Sequence, residues 1–99
     1  MYRASTPTHE FGIPIDAEAI QDIKLTYAQD GFPVLNKAMS DLTFEDGRWK
    51  ITLTQEETNL FKGSFATAQL RVLTKGGQCY PSEPMRLFVH DVLDDEVMV

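Results

Sequence analysis

Apolar and polar positions alternate along most of this chain in short runs, and glycine-containing pairs separate the runs. The steadiest run covers 20–29, where Ile23, Leu25 and Tyr27 face one way and Asp22, Lys24 and Thr26 the other, the period of a half-buried strand. Residues 9–15 place Phe11, Ile13 and Ile15 on one side. Pro14 has no amide hydrogen, so this strand lies at a sheet edge or ends there. Residues 48–54 turn Trp49, Ile51 and Leu53 inward and Arg48, Lys50 and Thr52 outward. A long strand over 64–75 sets Ala66, Ala68, Leu70 and Val72 against Phe65, Thr67, Gln69 and Arg71. Shorter strands are expected over 32–39, 41–45 and 78–80. The last, over 85–93, has Met85, Leu87 and Val89 on one face and Phe88 and Val92 on the other.

Asp30-Gly31, Asp46-Gly47 and Gly76-Gly77 sit between these runs. Gly and Asp tolerate positive φ, which the tight primed turns of β-hairpins require. Between 54 and 63 the period changes. Thr54 and Glu57 have the spacing of a capping box, Leu60 and Phe61 supply an apolar edge, and Gly63 is placed to close the turn in the left-handed region. The fold class expected is therefore all-β: an antiparallel two-sheet sandwich, immunoglobulin-like, with one short helical turn near residues 55–61 and a single domain spanning 1–99. A small closed barrel is the competing architecture. The expected core is Phe11, Ile13, Ile23, Leu25, Tyr27, Leu35, Phe44, Trp49, Ile51, Leu53, Phe61, Leu70, Val72, Leu87 and Val89.

Composition narrows the function classes. At 99 residues with 42% hydrophobic and 24% charged positions, the chain suits one small globular domain. No stretch reaches the roughly 18 apolar residues needed to cross a bilayer, so no membrane partner is expected. The first eight residues lack an apolar h-region, which points to synthesis in a cytoplasm. A formal net charge of −6 repels a phosphate backbone, and nucleic acid is not an expected partner.

Candidate chemistry is sparse. Cys79 is the single cysteine, which excludes an internal disulfide, and it reads as a half-buried filler in a turn-rich stretch. His9-Glu10 lacks the second histidine of a zinc protease helix and reads as a surface pair. His90 reads as a partly buried histidine satisfied by a neighbouring carbonyl or acid. Asp94, Asp95 and Glu96 lack the spacing of a calcium loop and read as a solvated acidic tail. A hydrolase built on Cys79, His90 and an acid rests on composition alone. No catalytic, metal or cofactor-binding residue is assigned, and an enzyme is not expected.

Four segments carry a resemblance: the run from Tyr2 to Phe11, the stretch 20–29 ending Thr26-Tyr27-Ala28-Gln29, the segment Leu53-Thr54-Gln55-Glu56-Glu57-Thr58, and the strand from Ala68 to Thr74. Together they resemble small proteins encoded in phages and prophages of Gram-positive gut bacteria, and less strongly the amino-terminal immunoglobulin-like domain of baseplate upper proteins. The resemblance implies a non-enzymatic particle component, whether tail, baseplate, connector or capsid decoration. Such a protein is made in the host cytoplasm, assembled into the virion, and partnered by copies of itself and by other particle proteins. The alternative is a small phage-encoded binder that inhibits a host protein. Interface contacts are expected from the two ends, with Tyr2, Arg3, Phe11, Val97, Met98 and Val99 as the candidates, and strand addition as the docking mode.

Overall fold

The computed structural model describes residues 1–99. In chain order its elements are β1 (Thr8–Phe11), a 3₁₀ turn (Ala17–Ala19), β2 (Ile20–Gln29), β3 (Phe32–Ala38), a second 3₁₀ turn (Met39–Asp41), β4 (Thr43–Glu45), β5 (Arg48–Thr52), α1 (Gln55–Thr58), β6 (Ser64–Thr74), β7 (Cys79–Pro81) and β8 (Met85–Val89). A three-stranded sheet runs β1-β5-β4, and a larger one runs β3-β2-β6. The other edge of β6 is shared: β8 pairs with its first half and β7 with its second. All strand pairings are antiparallel, but Tyr2 bridges His90 in parallel beyond the end of β8. Two sheets with this order, and an amino-terminal segment parallel to the last strand, make an immunoglobulin-like sandwich, the expected class.

Two of the three glycine pairs form the expected turns. Asp30 and Gly31 have φ of +53° and +79°, and Asp46 and Gly47 +52° and +73°, so both central residues of each hairpin are left-handed. The third differs. Only Gly77 has positive φ, at +87°, and its amide donates to the Thr74 carbonyl at 2.9 Å while Thr74 N donates to Gln78 O at 2.8 Å. That is a longer turn finished by a glycine bulge.

Inward-facing side chains of both sheets meet as alternation requires. Ile23 lies opposite Val72, Leu25 opposite Leu70 and Tyr27 opposite Ala68, while Phe11 faces Trp49 across the smaller sheet. Of the expected core, Phe11, Ile23, Leu25, Tyr27, Trp49, Ile51, Leu53, Phe61, Leu70, Val72 and Val89 are buried. Ile13, Leu35 and Leu87 are only partly buried and pack against that cluster. Phe44 is a correction. It lies opposite Trp49 with ring centroids 5.0 Å apart, but β4 is the outer strand of its sheet, so nothing covers its far side and it remains 49% exposed. Ile20, Leu42, Ala66 and Ala68 join the core instead.

Several boundaries move: the strand expected over 48–54 ends at Thr52, and the helical turn expected near 55–61 covers Gln55–Thr58. The strand expected over 9–15 stops at Phe11, before Gly12 and Pro14, and β1 is an edge strand. The strand expected over 85–93 stops at Val89. The one expected over 41–45 becomes a 3₁₀ turn followed by β4. The capping box is present: Glu57 N donates to Thr54 Oγ1 at 3.1 Å, and Thr54 N donates to Glu57 Oε1 at 2.9 Å. Gly63 does not close the turn in the left-handed region, because its φ is not positive. The Asp91 carboxylate occupies the space a Cβ there would take, so close approach, not conformation, favours glycine.

Candidate docking surface

The outer face of β6 and β8 carries a continuous aromatic strip. In the antiparallel register Phe65 lies opposite Phe88 and Thr67 opposite Arg86, which puts all four on one face. The Phe65 and Phe88 rings meet edge to face at 5.2 Å, and the Arg86 guanidinium sits 4.2 Å above the Phe65 ring. His90 continues the row 4.6 Å from Phe88, and Tyr2 stacks on His90 at 4.7 Å. Tyr2, Phe65 and Phe88 each leave about half their surface in solvent, at 56%, 52% and 47%. Isolated exposed rings are ordinary on a protein surface; here Tyr2, His90, Phe88 and Phe65 form one contiguous row with a cation at its end. His90 is therefore not the partly buried histidine expected: its backbone ends the pairing of residues 1–3, and its ring lies exposed between two aromatic neighbours.

The amino-terminal segment is fastened to its own chain. His90 N donates to Met1 O at 2.8 Å and Arg3 N to His90 O at 3.0 Å. Ala4 takes a left-handed φ of +53°, a costly conformation for a residue with a Cβ. It is held there because its amide donates to Asn59 Oδ1 at 2.8 Å and the next, Ser5 N, donates to Thr58 Oγ1 at 3.1 Å. Thr58 is fully buried and returns a hydrogen bond to Ser5 O at 3.1 Å. The short helix thus positions Tyr2 beside His90.

The expected interface residues separate into three groups. Phe11 is a core residue, 4% exposed, and cannot touch a partner, because the alternation that marks it as apolar also turns it inward. Arg3 is engaged internally: its guanidinium donates to Asp95 Oδ2 at 2.9 Å and to Asn59 O at 3.3 Å. The carboxyl-terminal segment folds back along α1, where Gln55 donates to Met98 O at 3.0 Å and accepts from Met98 N at 2.9 Å. Val97 is partly covered there, while the Met98 and Val99 side chains project into solvent. Tyr2, Met98 and Val99 are the members of the expected set that stay open. The acidic tail is solvent-exposed, as read, although Asp95 is tied to Arg3.

Two further residues depart from expectation. Cys79 is exposed and not a half-buried filler, because it begins the short edge strand β7, opposite Leu73 of β6. Cys79 lies opposite Leu73, and His90 follows Val89, which lies opposite Ser64. Leu73 and Ser64 are nine strand steps apart, about 30 Å, so thiol and imidazole do not meet. His9 is not a surface residue. Its Nδ1 is 2.6 Å from the Tyr27 hydroxyl between the two sheets, and burial lowers its pKa, with the positive amino terminus adding to the effect. Glu10, its neighbour, does point outward, toward Arg48 at 3.5 Å and Lys50 at 3.4 Å. The alternation that places Phe11 inward also places His9 inward, and that signal was available in the sequence.

On the opposite side, the segment after β1 stands away from the inner face of β6 and leaves an open cleft of about 960 Å³. Ile13, Ile15, Leu70, Tyr80 and Met85 line it. Its charged rim mixes both signs, Glu10 and Glu83 with Arg48 and Lys75, and selects no ligand chemistry.

No family model matches the sequence, and no curated protein matches it. Among solved structures, the chain is similar to the V domain of amphioxus IgVJ-C2, with 16% identity over 89% of this chain and 95% of that one and a TM-score of 0.37.

Proposed function

We propose that this chain is a non-enzymatic docking domain that serves as a structural component of a phage particle and works through contacts with copies of itself and with other particle proteins. The observation that supports docking is the exposed aromatic strip of Tyr2, Phe65, Phe88 and His90 with Arg86 at its end. The phage setting comes from the resemblance of the four sequence segments described above.

Side chains, more than added strands, carry the contact in this reading. Most of the sheet edges, β1 apart, are blunted in the ways that discourage strand pairing. β4 and β7 have three residues each. β3 carries Pro33 and a bulge, since Tyr27 opposes Leu35 while Ala28 opposes Pro33. The end of β8 is already occupied by residues 1–3. Expressing the tagged chain with its neighbouring genes and isolating particles tests the proposal. It predicts stoichiometric co-purification, reduced by Phe65→Ser with Phe88→Ser. Recovery of one host protein and no particles points to the inhibitor alternative and rejects it.

A further inference from the structure

The smaller sheet stops one strand short of the larger. Four positions lie side by side in the larger sheet, because β7 and β8 share one edge of β6, and three in the smaller, where β1 is outermost. Tyr80 lies opposite Val72 and Met85 opposite Ala68, so all four side chains face inward over the open cleft. Val72 and Ala68 are buried, but Tyr80 and Met85 keep 48% and 40% of their surface in solvent, because no strand beyond β1 covers them. Across from them, β1 is paired on one side only. Leu53 N donates to Pro7 O at 3.0 Å and Thr8 lies opposite Thr52, so the hydrogen-bonded pairs fall on Pro7, His9 and Phe11, and Thr8 and Glu10 turn amide and carbonyl away from β5. The chain's first residues leave that edge free, since they bond to His90, Asn59 and Thr58. The opposing edge of β7 is poorer. Thr74 N donates to Gln78 O and Ser82 N to Leu70 O, which turns the backbone of Cys79 and Pro81 outward, and Pro81 has no amide hydrogen.

We propose that the free edge of β1 and the cleft beside it form a strand-addition site, separate from the aromatic strip, that takes an extended apolar segment of another protein as the fourth strand of the smaller sheet. In this mode main-chain hydrogen bonds supply affinity and a pocket for alternate side chains supplies selection, and both parts are present. Thr8 and Glu10 offer two amides and two carbonyls. The run from Thr8 to Gly12 spans about 13 Å, so five residues of the partner lie along it. Alternate partner residues, about 6.6 Å apart, point into the cleft over Leu70, Tyr80 and Met85 and are therefore apolar, while those between them face solvent. This chain's own loose apolar stretch does not fit. Val97–Val99 follows Asp94, Asp95 and Glu96, so a five-residue strand over 95–99 carries an acid into the apolar cleft in either parity, and Gln55 already clasps Met98. An added strand this short binds weakly, with Kd about 0.1–1 mM, and gains strength where a particle holds both partners close.

The test is a titration of the labelled chain with the peptide acetyl-Lys-Val-Thr-Val-Thr-Val-Lys-amide to about 2 mM, read by amide NMR. Saturable shifts are expected at Thr8, Glu10, Tyr80 and Met85. Glu10→Pro removes one outward amide at an edge position where proline is tolerated and weakens binding about tenfold or more, whereas Glu10→Gln, which loses only the contacts to Arg48 and Lys50, binds as wild type does. Tyr80→Asp, at a half-exposed side chain, puts a charge in the cleft and weakens binding as much, with an unchanged thermal midpoint, so the result does not hang on one variant. The peptide with its central Val replaced by Pro does not bind. No saturable shift, shifts confined to the outer face of β6 and β8, equal binding of the proline peptide, or Glu10→Pro and Tyr80→Asp variants that bind as wild type does overturns the proposal. Cleft signals that move on dilution of the chain alone name a second copy as the occupant and overturn it too. Phe65→Ser with Phe88→Ser leaves peptide binding unchanged, so this site and the docking role of the strip fail separately.

Discussion

Replacing Tyr27 with Phe isolates the polar contact that joins the two sheets. The Tyr27 side chain is fully buried, and its ring meets Phe61 edge to face at 5.7 Å, a contact Phe preserves. What disappears is the hydroxyl 2.6 Å from His9 Nδ1. One lost hydrogen bond is worth about 0.5–1.5 kcal/mol, and stranding its partner costs about 1–3 kcal/mol when that partner is fully buried. His9 is half-buried, so the sum is about 2 kcal/mol. For a domain of this size that lowers the thermal midpoint by about 8–16 °C. Urea and thermal denaturation at pH 8, followed by circular dichroism, read the change. The pH arm has a definite sign. His9 holds a pKa below 6.5 in the fold, so the unfolded chain binds the proton first. Its contribution is complete above pH 6.5 and is lost as pH falls through the folded value. An imidazole that titrates at or above 6.5 by NMR, or a Tyr27→Phe variant within about 0.3 kcal/mol of wild type, refutes the reasoning.

Other substitutions probe independent parts. Trp49 is 5% exposed, so Trp49→Ala is expected to cost about 3–5 kcal/mol in urea unfolding. Thr54→Ala removes the helix cap and costs about 1 kcal/mol, and it lowers protection of the Ser5 amide in hydrogen exchange because Thr58 loses its support. Glu57 is ion-paired with Lys37 and capped to Thr54. Its burial pushes the carboxyl pKa up, but the Lys37 and Thr54 hydrogen bonds and the Lys37 charge together bring it below 4.5. That contribution holds above pH 4.5 and fades as pH falls through the lowered value, so Lys37→Met flattens the acid limb of a stability–pH curve. Cys79 is expected to react with a thiol reagent in the native state at a rate near that of the unfolded chain; strong protection contradicts its exposure.

The hairpins were legible because their signals are local. Alternation fixed β2 to its observed ends, and Asp30-Gly31 and Asp46-Gly47 announced left-handed turns that only such residues adopt cheaply. The helix cap was equally plain, since its partners are three residues apart. The departures depend on what lies across the sheet or over it. Phe44 has the right parity for the core but lacks a covering element. Gly63 is constrained by Asp91, twenty-eight residues away in sequence. The strip shows the same division. Alternation puts Phe65 and Phe88 each on a face opposite the apolar partners that are buried, yet the register that pairs them and the turn that swings Tyr2 onto His90 are long-range.

Whether this domain acts through the outer face of β6 and β8 is decided by amide NMR spectra of the labelled chain on serial dilution. Concentration-dependent shifts are expected at Tyr2, Phe65, Arg86, Phe88 and His90, with Leu25, Leu53 and the cleft residues Ile13 and Tyr80 unmoved. Spectra that do not change with concentration, or shifts gathered around the cleft instead, contradict it.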